Sequence, residues 1–571
     1  MSEIERLWHQ NYPPEVPYSV EYPKVPLPQL LIQTASDFPN KISIRFLGKD
    51  LTFQELLKDV YRFAHALKRI GVEKGERIGI MLPNSPQAVI AYYASLMVGA
   101  VVVQVNPLYT ERELRHQLTD SGMKTIICLD LVYNKVKRLQ SETQLDTIVV
   151  TSMKDYLPPL KKILYPIKAK IDGMYVKLSS KGEFYPFMEL IQSSDDTPIQ
   201  PVYHSSDDLA LLQYTGGTTG LAKGAMLSHG NLIANMRQAR AWFYKTERGQ
   251  GSIMAVIPFV HVYGMTTVMN FAIAEGLTMV IVPRFEKDLS LILKLIDKYK
   301  PSFFPGAPTT YIGLINHPKI HQYDLSSIEA CVSGSSSLPH EVQEKFEEIT
   351  KGFLVEGYGL TEASPVTHSN LIWDRKKVGT IGLPWPDTDA RIVNPETGEP
   401  VDVNEQGELL VKGPQIMLGY WNNPKETDQV LQDGWLKTGD IARMDEDGYF
   451  YIVDRKKDVI IASGFNIYPR EVEEVLFEHP SIQEVVVIGA PDPYRGETVK
   501  AVVVFKEGEL ASEEELDRFA RERLVKYKVP RIYEFRSELP KSSVGKVLRR
   551  TLKEEARQLY EQQVAESKLG S

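Results

Sequence analysis

With 571 residues, 43% hydrophobic and 25% charged, the chain has an ordinary globular composition and more length than one core needs, so several subdomains are expected. A net charge of −8 gives no overall basic footprint for nucleic acid, and two cysteines, Cys128 and Cys331, exclude a disulfide framework or a Cys-rich metal centre. The first residues lack the basic and apolar regions of a signal peptide, and no stretch supplies the roughly 20 apolar residues of a membrane helix; both point to the cytoplasm.

The early pattern predicts a strand over 41–46, a turn over 48–50 and a helix that starts at a Thr52/Glu55 capping box and stops at Gly71. A strand over 78–82, a helix over 86–98 and a strand over 100–105 follow. That order implies a parallel, doubly wound sheet, so the fold class is α/β. The order recurs around 126–129, at 278–282 with 289–299, and at 329–332 with 340–349; mixed β structure is expected from 390 to 411.

One insert mixes apolar residues with Lys161, Lys162, Lys168 and Lys170 between Tyr156 and Ile171. Such a segment suits the surface of an anionic bilayer, although a solvated basic loop accounts for it equally well. Pro166 is expected to limit any helix there.

After the charged run Asp454-Arg-Lys-Lys-Asp458 comes a compact αβ block: helix 469–478, strands 485–489 and 499–505, helix 512–524. A self-contained block behind a charged run marks a hinge, which divides the chain into a large N-terminal domain, 1–456, and a small α+β C-terminal domain, 457–571.

The most informative segment is Tyr214-Thr-Gly-Gly-Thr-Thr-Gly-Leu-Ala-Lys-Gly224. Glycines let backbone N–H groups approach an anion closely, and threonine hydroxyls with Lys223 add donors and charge. The reading is a phosphate cradle formed by Thr215, Gly216, Gly217, Thr218, Thr219, Gly220 and Lys223. It is not a Walker A loop, because Gly224 follows the lysine where Ser or Thr is needed.

Five more segments follow in order: Pro258-Phe-Val-His-Val-Tyr-Gly264, Gly334-Ser-Ser-Ser-Leu-Pro339, Glu356-Gly-Tyr-Gly-Leu-Thr-Glu362, Trp435-Leu-Lys-Thr-Gly-Asp440 and Pro540-Lys-Ser-Ser-Val-Gly-Lys546. With the Gly/Thr segment and Asp454–Lys457 among them, this ladder resembles the adenylate-forming superfamily, from about residue 30 to about residue 555. Within it the run from Asp433 to Gly448, leading into Ile452-Val-Asp-Arg-Lys-Lys457, looks most like bacterial long-chain fatty acyl-CoA ligases.

The resemblance implies a two-step reaction. A carboxylate attacks the α-phosphate of ATP and pyrophosphate leaves; the thiol of coenzyme A then displaces AMP from the acyl-adenylate. Lys546 would be the cation bridging carboxylate and α-phosphate, Glu362 the Mg²⁺ ligand and Thr361 a phosphate contact. Tyr358 would stack on adenine, flanked by Gly357 and Gly359, with Gly334, Ser335 and Ser336 at the base edge. Asp440 would accept the ribose hydroxyls, with Ile452 and Arg455 beside them.

Lys457 matches the family's hinge, about which the C-terminal domain rotates between half-reactions and turns Gly464 and Phe465 toward coenzyme A. His261 and Gly306 would border the acyl pocket, whose walls (Phe259, Val262, Tyr263, Met265, Val268, Phe271) suit an alkyl chain as well as they suit core packing. Small residues at Gly306 and Ala307 would leave room for it. A buried structural histidine competes with the gating role for His261.

The expected substrate is a long-chain fatty acid, with peripheral contact at the inner face of the cell membrane and a homodimer left open. The rivals are an enzyme activating an aryl or other acid, one loading a carrier protein, and a non-enzymatic nucleotide-binding regulator. The pairing of Glu362 with Lys546 argues against the last.

Overall fold

The computed structural model describes residues 6–171, 175–176, 178, 182–215, 222–283, 289–462, 465–493, 495–542 and 545–569. The predicted doubly wound sheet is present. It has eight strands, in the order Tyr185–Pro186, Thr147–Thr151, Thr125–Leu129, Arg77–Met81, Val101–Gln104, Leu209–Thr215, Lys223–Ser228 and Gly419–Tyr420. All pairs are parallel as far as Leu209–Thr215, and the last two pairs are antiparallel.

A second layer is built from two four-stranded pieces. Lys49–Thr52, Ile42–Phe46, Thr278–Ile281 and Ser252–Ala255 form one; Ala330–Ser333, Phe353–Gly359, Val366–Ser369 and Leu383–Pro384 form the other. Phe303 splices them, bridging Ile253 on one side and Ala330 on the other, both in parallel. Between the layers lies helix Pro86–Met97, all twelve residues of which are buried, as a helix apolar on every side requires. Its two tyrosine hydroxyls are satisfied by one residue: Tyr93 donates to Asn270 at 2.9 Å, and the Asn270 amide donates to Tyr92 at 3.2 Å.

An antiparallel sheet carries Asp389–Val393, Gly407–Lys412, Trp435–Met444 and Phe450–Arg455, as the mixed β expectation required. A separate C-terminal domain follows. Its strands Ile482–Asp492 and Gly496–Phe505 send alternate side chains to opposite faces. Val487, Val499, Ala501 and Val503 pack with Leu476 and Leu516, while Val486, Ile488, Val502 and Val504 pack with Leu552 and Ala556.

Two local expectations are corrected. The first hairpin turns on Leu47 and Gly48, with φ of 50° and 96°, so Lys49 and Asp50 belong to the returning strand. A two-residue turn with both φ positive matches the right-handed twist of the strands it joins. In the basic insert the helix runs unbroken over Pro159–Ile171 with Pro166 inside it. Among the described residues no helix is long and apolar enough to cross a membrane.

Candidate active site

Between the main body and the C-terminal domain lies a cleft of about 2450 Å³. Its lining brings together Thr215, Lys223, His261, Gly334, Ser335, Ser336, Gly357, Tyr358, Gly359, Thr361, Glu362, Asp440, Ile452, Arg455, Lys457 and Lys546. Gly306 is absent from that lining. Gly216, Gly217, Thr218, Thr219, Gly220 and Gly464 lie outside the described residues, and Phe465 is placed only by its backbone, opposite Ala462.

The Gly/Thr segment owes its position to a hairpin. Leu209–Thr215 pairs antiparallel with Lys223–Ser228, and Thr215 stands directly opposite Lys223. The segment is therefore flanked by two paired strands, whereas a Walker site lies between a strand and a helix. The Lys223 ammonium pairs with Glu426 and lies 5.5 Å from the centre of the Tyr420 ring. The Tyr420 hydroxyl in turn donates to Glu362 Oε1 at 2.7 Å.

Asp440 follows Gly439, whose φ of 72° falls at a bulge inside strand Trp435–Met444 where the sequence suggested a turn, and its N–H donates to Thr438 Oγ1 at 3.1 Å. Both of its carboxylate oxygens are engaged: Oδ2 accepts from the Tyr358 hydroxyl at 2.6 Å, and Oδ1 lies 3.4 Å from Arg455 Nε. Tyr358 is thus held by its hydroxyl as well as its ring, a tie that sequence reading missed. Any group that reaches Asp440 has to share this carboxylate with Tyr358 and Arg455.

Gly334 and Gly306 sit at neighbouring points, the Gly334 N–H donating to the Gly306 carbonyl at 3.1 Å. Each serves a tyrosine. A Cβ on Gly334 would lie 3.1 Å from the Tyr263 ring, and one on Gly306 would lie 2.8 Å from the Tyr311 ring. The space beside Gly306 is therefore filled by Tyr311, and Ala307 is buried, so these small residues leave no open room. Phe259, Met265, Val268 and Phe271 are likewise buried in the main core.

His261 closes a turn. Its N–H donates to the Pro258 carbonyl at 3.0 Å, and its Nδ1 accepts from the Tyr263 N–H at 3.2 Å. Burial, with the Lys546 ammonium adding to it, lowers the imidazole to about 4, so it is neutral near pH 7.

Lys546 enters from the other domain on a tight loop. Its carbonyl accepts from the Ser542 N–H at 2.8 Å, and its N–H donates to Ser542 Oγ at 3.2 Å. Gly545, at φ 77°, presses on Thr309 of the main body so closely that a Cβ would have no room. Burial first, then Arg455, lowers the ammonium to about 8, with Asp440 opposing.

What sets this loop is the helix Pro469–Phe477, whose role carried no sequence signal. Arg470 ties it to the main body: its N–H donates to Asp454 Oδ2 at 2.9 Å, its guanidinium donates to the Ile452 carbonyl at 2.8 Å, and Glu356 lies 3.9 Å away. Burial pushes Glu356 up to about 7, with Arg470 opposing. Phe477 packs against the main-body cluster that includes Leu338 and Val342. One turn along the same face of the helix Glu473 pairs at 2.7 Å with Arg549, three residues past Lys546. The helix acts as a strut between the cleft floor and the lysine loop.

Among the described residues no cluster of three His, Cys, Asp or Glu side chains could cage a metal. Mg²⁺ does not need one, since it keeps waters and takes one or two carboxylates together with phosphate oxygens. The single carboxylate of Glu362, in the cleft and held from one side by Tyr420, fits that mode of binding.

Compared with known proteins, residues 31–421 match the family model described as AMP-binding enzyme, and residues 471–546 match that described as AMP-binding enzyme C-terminal domain. A long-chain-fatty-acid–CoA ligase of Bacillus subtilis (strain 168) is 52% identical over 554 residues, covering 97% of this chain and 98% of that one. The crystal structure of the anthranilate CoA ligase AuaEII with anthranoyl-AMP matches with a TM-score of 0.84 at 26% identity, over 94% of this chain and 98% of that one. MatB from Rhodopseudomonas palustris, 27% identical over 94% of this chain and 100% of its own, gives 0.82 with ATP bound and 0.72 in its apo form.

Proposed function

The chain belongs to the AMP-binding enzyme family, and on that premise we propose that it is a ligase converting a long-chain fatty acid, ATP and coenzyme A into acyl-CoA, AMP and pyrophosphate. The observation that carries the reading is the meeting of Lys546, from the C-terminal domain, with Asp440 and Glu362 of the main body in one cleft. The better match to MatB with ATP bound than to its apo form supports an arrangement set for the first half-reaction.

Both reactants of that step are anions, so the protein's task is to position them and to offset charge. The Gly/Thr hairpin tip and Lys223 receive the phosphates, and Thr361 contacts an oxygen. Asp440 and Arg455 take the ribose, while Tyr358 and residues 334–336 border the base. Lys546 places its positive charge between the fatty carboxylate and the α-phosphate. The carboxylate oxygen forms the new bond to phosphorus as the bond to pyrophosphate breaks. Mg²⁺, bound by Glu362, would neutralise phosphate charge.

In the second step the coenzyme A thiol, losing its proton, attacks the acyl carbon, and AMP leaves. The cleft cannot exclude water around ATP and admit a bulky thiol at once, so the C-terminal domain must move. The boundary is placed at 456/457, with Lys457 as the hinge in an exposed turn just after Lys456 is tied to the Gly439 carbonyl at 3.0 Å. Gly464 and Phe465 are assigned to the coenzyme A side, His261 to the acyl side. Peripheral contact with an anionic membrane belongs to the same reading, as does a homodimer, which light scattering would detect.

The test is pyrophosphate release by the purified full-length chain. It should require fatty acid and yield acyl-CoA, with an acyl-length series peaking at long chains. Release driven by aryl acids, or product formed only on a carrier protein, would replace this reading with its rival.

A further inference from the structure

Helix Pro159–Ile171 presents its aliphatic side outward. Leu160, Ile163, Leu164, Ile167 and Ile171 are 70%, 73%, 49%, 61% and 79% exposed, whereas Ala169 is 2% exposed. At about 100° per residue, the five aliphatic positions fall within an arc of about 100° whose middle lies opposite Ala169. The helix therefore rests on the protein by its Ala169 side and offers a continuous apolar stripe to its surroundings.

Charge frames that stripe. The helix contains no acidic residue. Lys161 and Lys168 run along one border and Lys170 along the other, while Lys162 lies on the back of the helix, about 20° from Ala169; all four are exposed. Beyond the helix end, Tyr175 is 48% exposed, and the Lys170 ammonium lies 5.0 Å from its ring centre. The base is fixed: Lys161 Nζ donates to the Leu47 carbonyl at 2.7 Å, and the Tyr156 hydroxyl donates to Asp59 Oδ2 at 2.7 Å.

We infer that this helix is a docking surface for an anionic lipid bilayer, lying in the interface with its aliphatic stripe among the acyl chains and its lysines against the headgroups. An apolar stripe bordered by cations, on a helix long enough for three turns and anchored from behind, has the makeup of an interfacial segment. A second copy of the chain is the poorer occupant, because a twofold contact would set the lysine borders against each other. The inference rests on the proposed function for its purpose, since long-chain fatty acid dissolves in bilayers, but its physical basis is independent of catalysis.

The test uses the full-length protein without substrates, sedimented with vesicles of phosphatidylcholine alone or of equal parts phosphatidylcholine and phosphatidylglycerol. Binding is expected only with phosphatidylglycerol and should weaken with added salt. Two variants, Ile163→Asp/Ile167→Asp and Lys168→Glu/Lys170→Glu, should each lower the bound fraction by about tenfold or more. Their melting curves and turnover of detergent-dispersed fatty acid should match the parent, because the altered side chains are exposed. Both native cysteines are buried, so Ile163→Cys carrying a polarity-sensitive dye reports insertion by a blue shift on anionic vesicles.

Equal binding by parent and variants, or no binding by the parent, overturns the inference. So does a parent dimer that Ile163→Asp/Ile167→Asp dissociates in the absence of lipid. Loss of acyl-CoA synthesis with vesicle binding retained would instead count against the proposed function alone.

Discussion

On the main-body wall of the cleft, Asp440 already holds Tyr358 and Arg455, Glu362 holds Tyr420, and Lys223 holds Glu426. On the C-terminal wall, no carboxylate among the described residues pairs with the Lys546 ammonium, which is set instead by its backbone loop and by the strut behind it. One wall consists of groups whose orientation is fixed before any ligand arrives, which costs nothing at the moment of reaction. In the proposed function the other delivers the Lys546 ammonium, which pairs with no carboxylate among the described residues, and has to withdraw it again. A salt bridge on Lys546 would hold it in place and hinder that exchange.

The largest test of this contrast is Lys546→Ala. Adenylation should fall by roughly a thousandfold, the scale of losing a preorganised charge at the reacting atoms. Thioester formation from supplied acyl-adenylate should stay within a few-fold; equal loss in both half-reactions would remove Lys546 from the role given to it.

Arg470→Ala should come next, slowing adenylation by roughly tenfold or more, because it leaves Glu356 buried without its cation and frees the strut. Adding Glu356→Gln should recover part of that loss, and no recovery would show that the pair does not govern docking. Lys457→Pro restricts the proposed hinge and should slow thioester formation by about tenfold while sparing adenylation.

The smallest effect is one of pH. Burial favours the neutral amine, so the Lys546 cation is present below about 8 and is lost as pH rises through that value. The kcat/KM of adenylation should decline along the same limb, and Lys546→Arg, which stays charged, should flatten whatever activity it retains. A profile level to pH 10 in the unaltered protein would exclude the buried ammonium as the titrating group.

Much of the site was legible in the sequence because its chemistry is concentrated in short runs. Tyr358, Thr361 and Glu362 fall within five residues of one another, and Thr438 to Asp440 are consecutive residues at one bulge of a strand. The alternating strands and helices were legible for the same reason, since their periodicity is local. What escaped was long-range pairing. Nothing near Glu473 announces Arg549, 76 positions away, and Glu356 and Arg470 belong to different domains. The splice at Phe303 has no strand pattern of its own, being one residue bridged on both sides. Pro166 misled because a proline penalty in isolation says nothing about a helix anchored at its start, where the Lys162 N–H reaches the Pro158 carbonyl at 2.9 Å.

The hairpin beneath the Gly/Thr tip has one more strand attached to it. Lys223–Ser228 is paired not only to Leu209–Thr215 but also to Gly419–Tyr420, with Tyr420 opposite Ala225. Tyr420 is the residue whose hydroxyl steadies Glu362. The strand that begins at Lys223 is therefore joined through this ladder to the residue that orients Glu362, so two groups that the proposed function sets at the phosphates share one sheet edge.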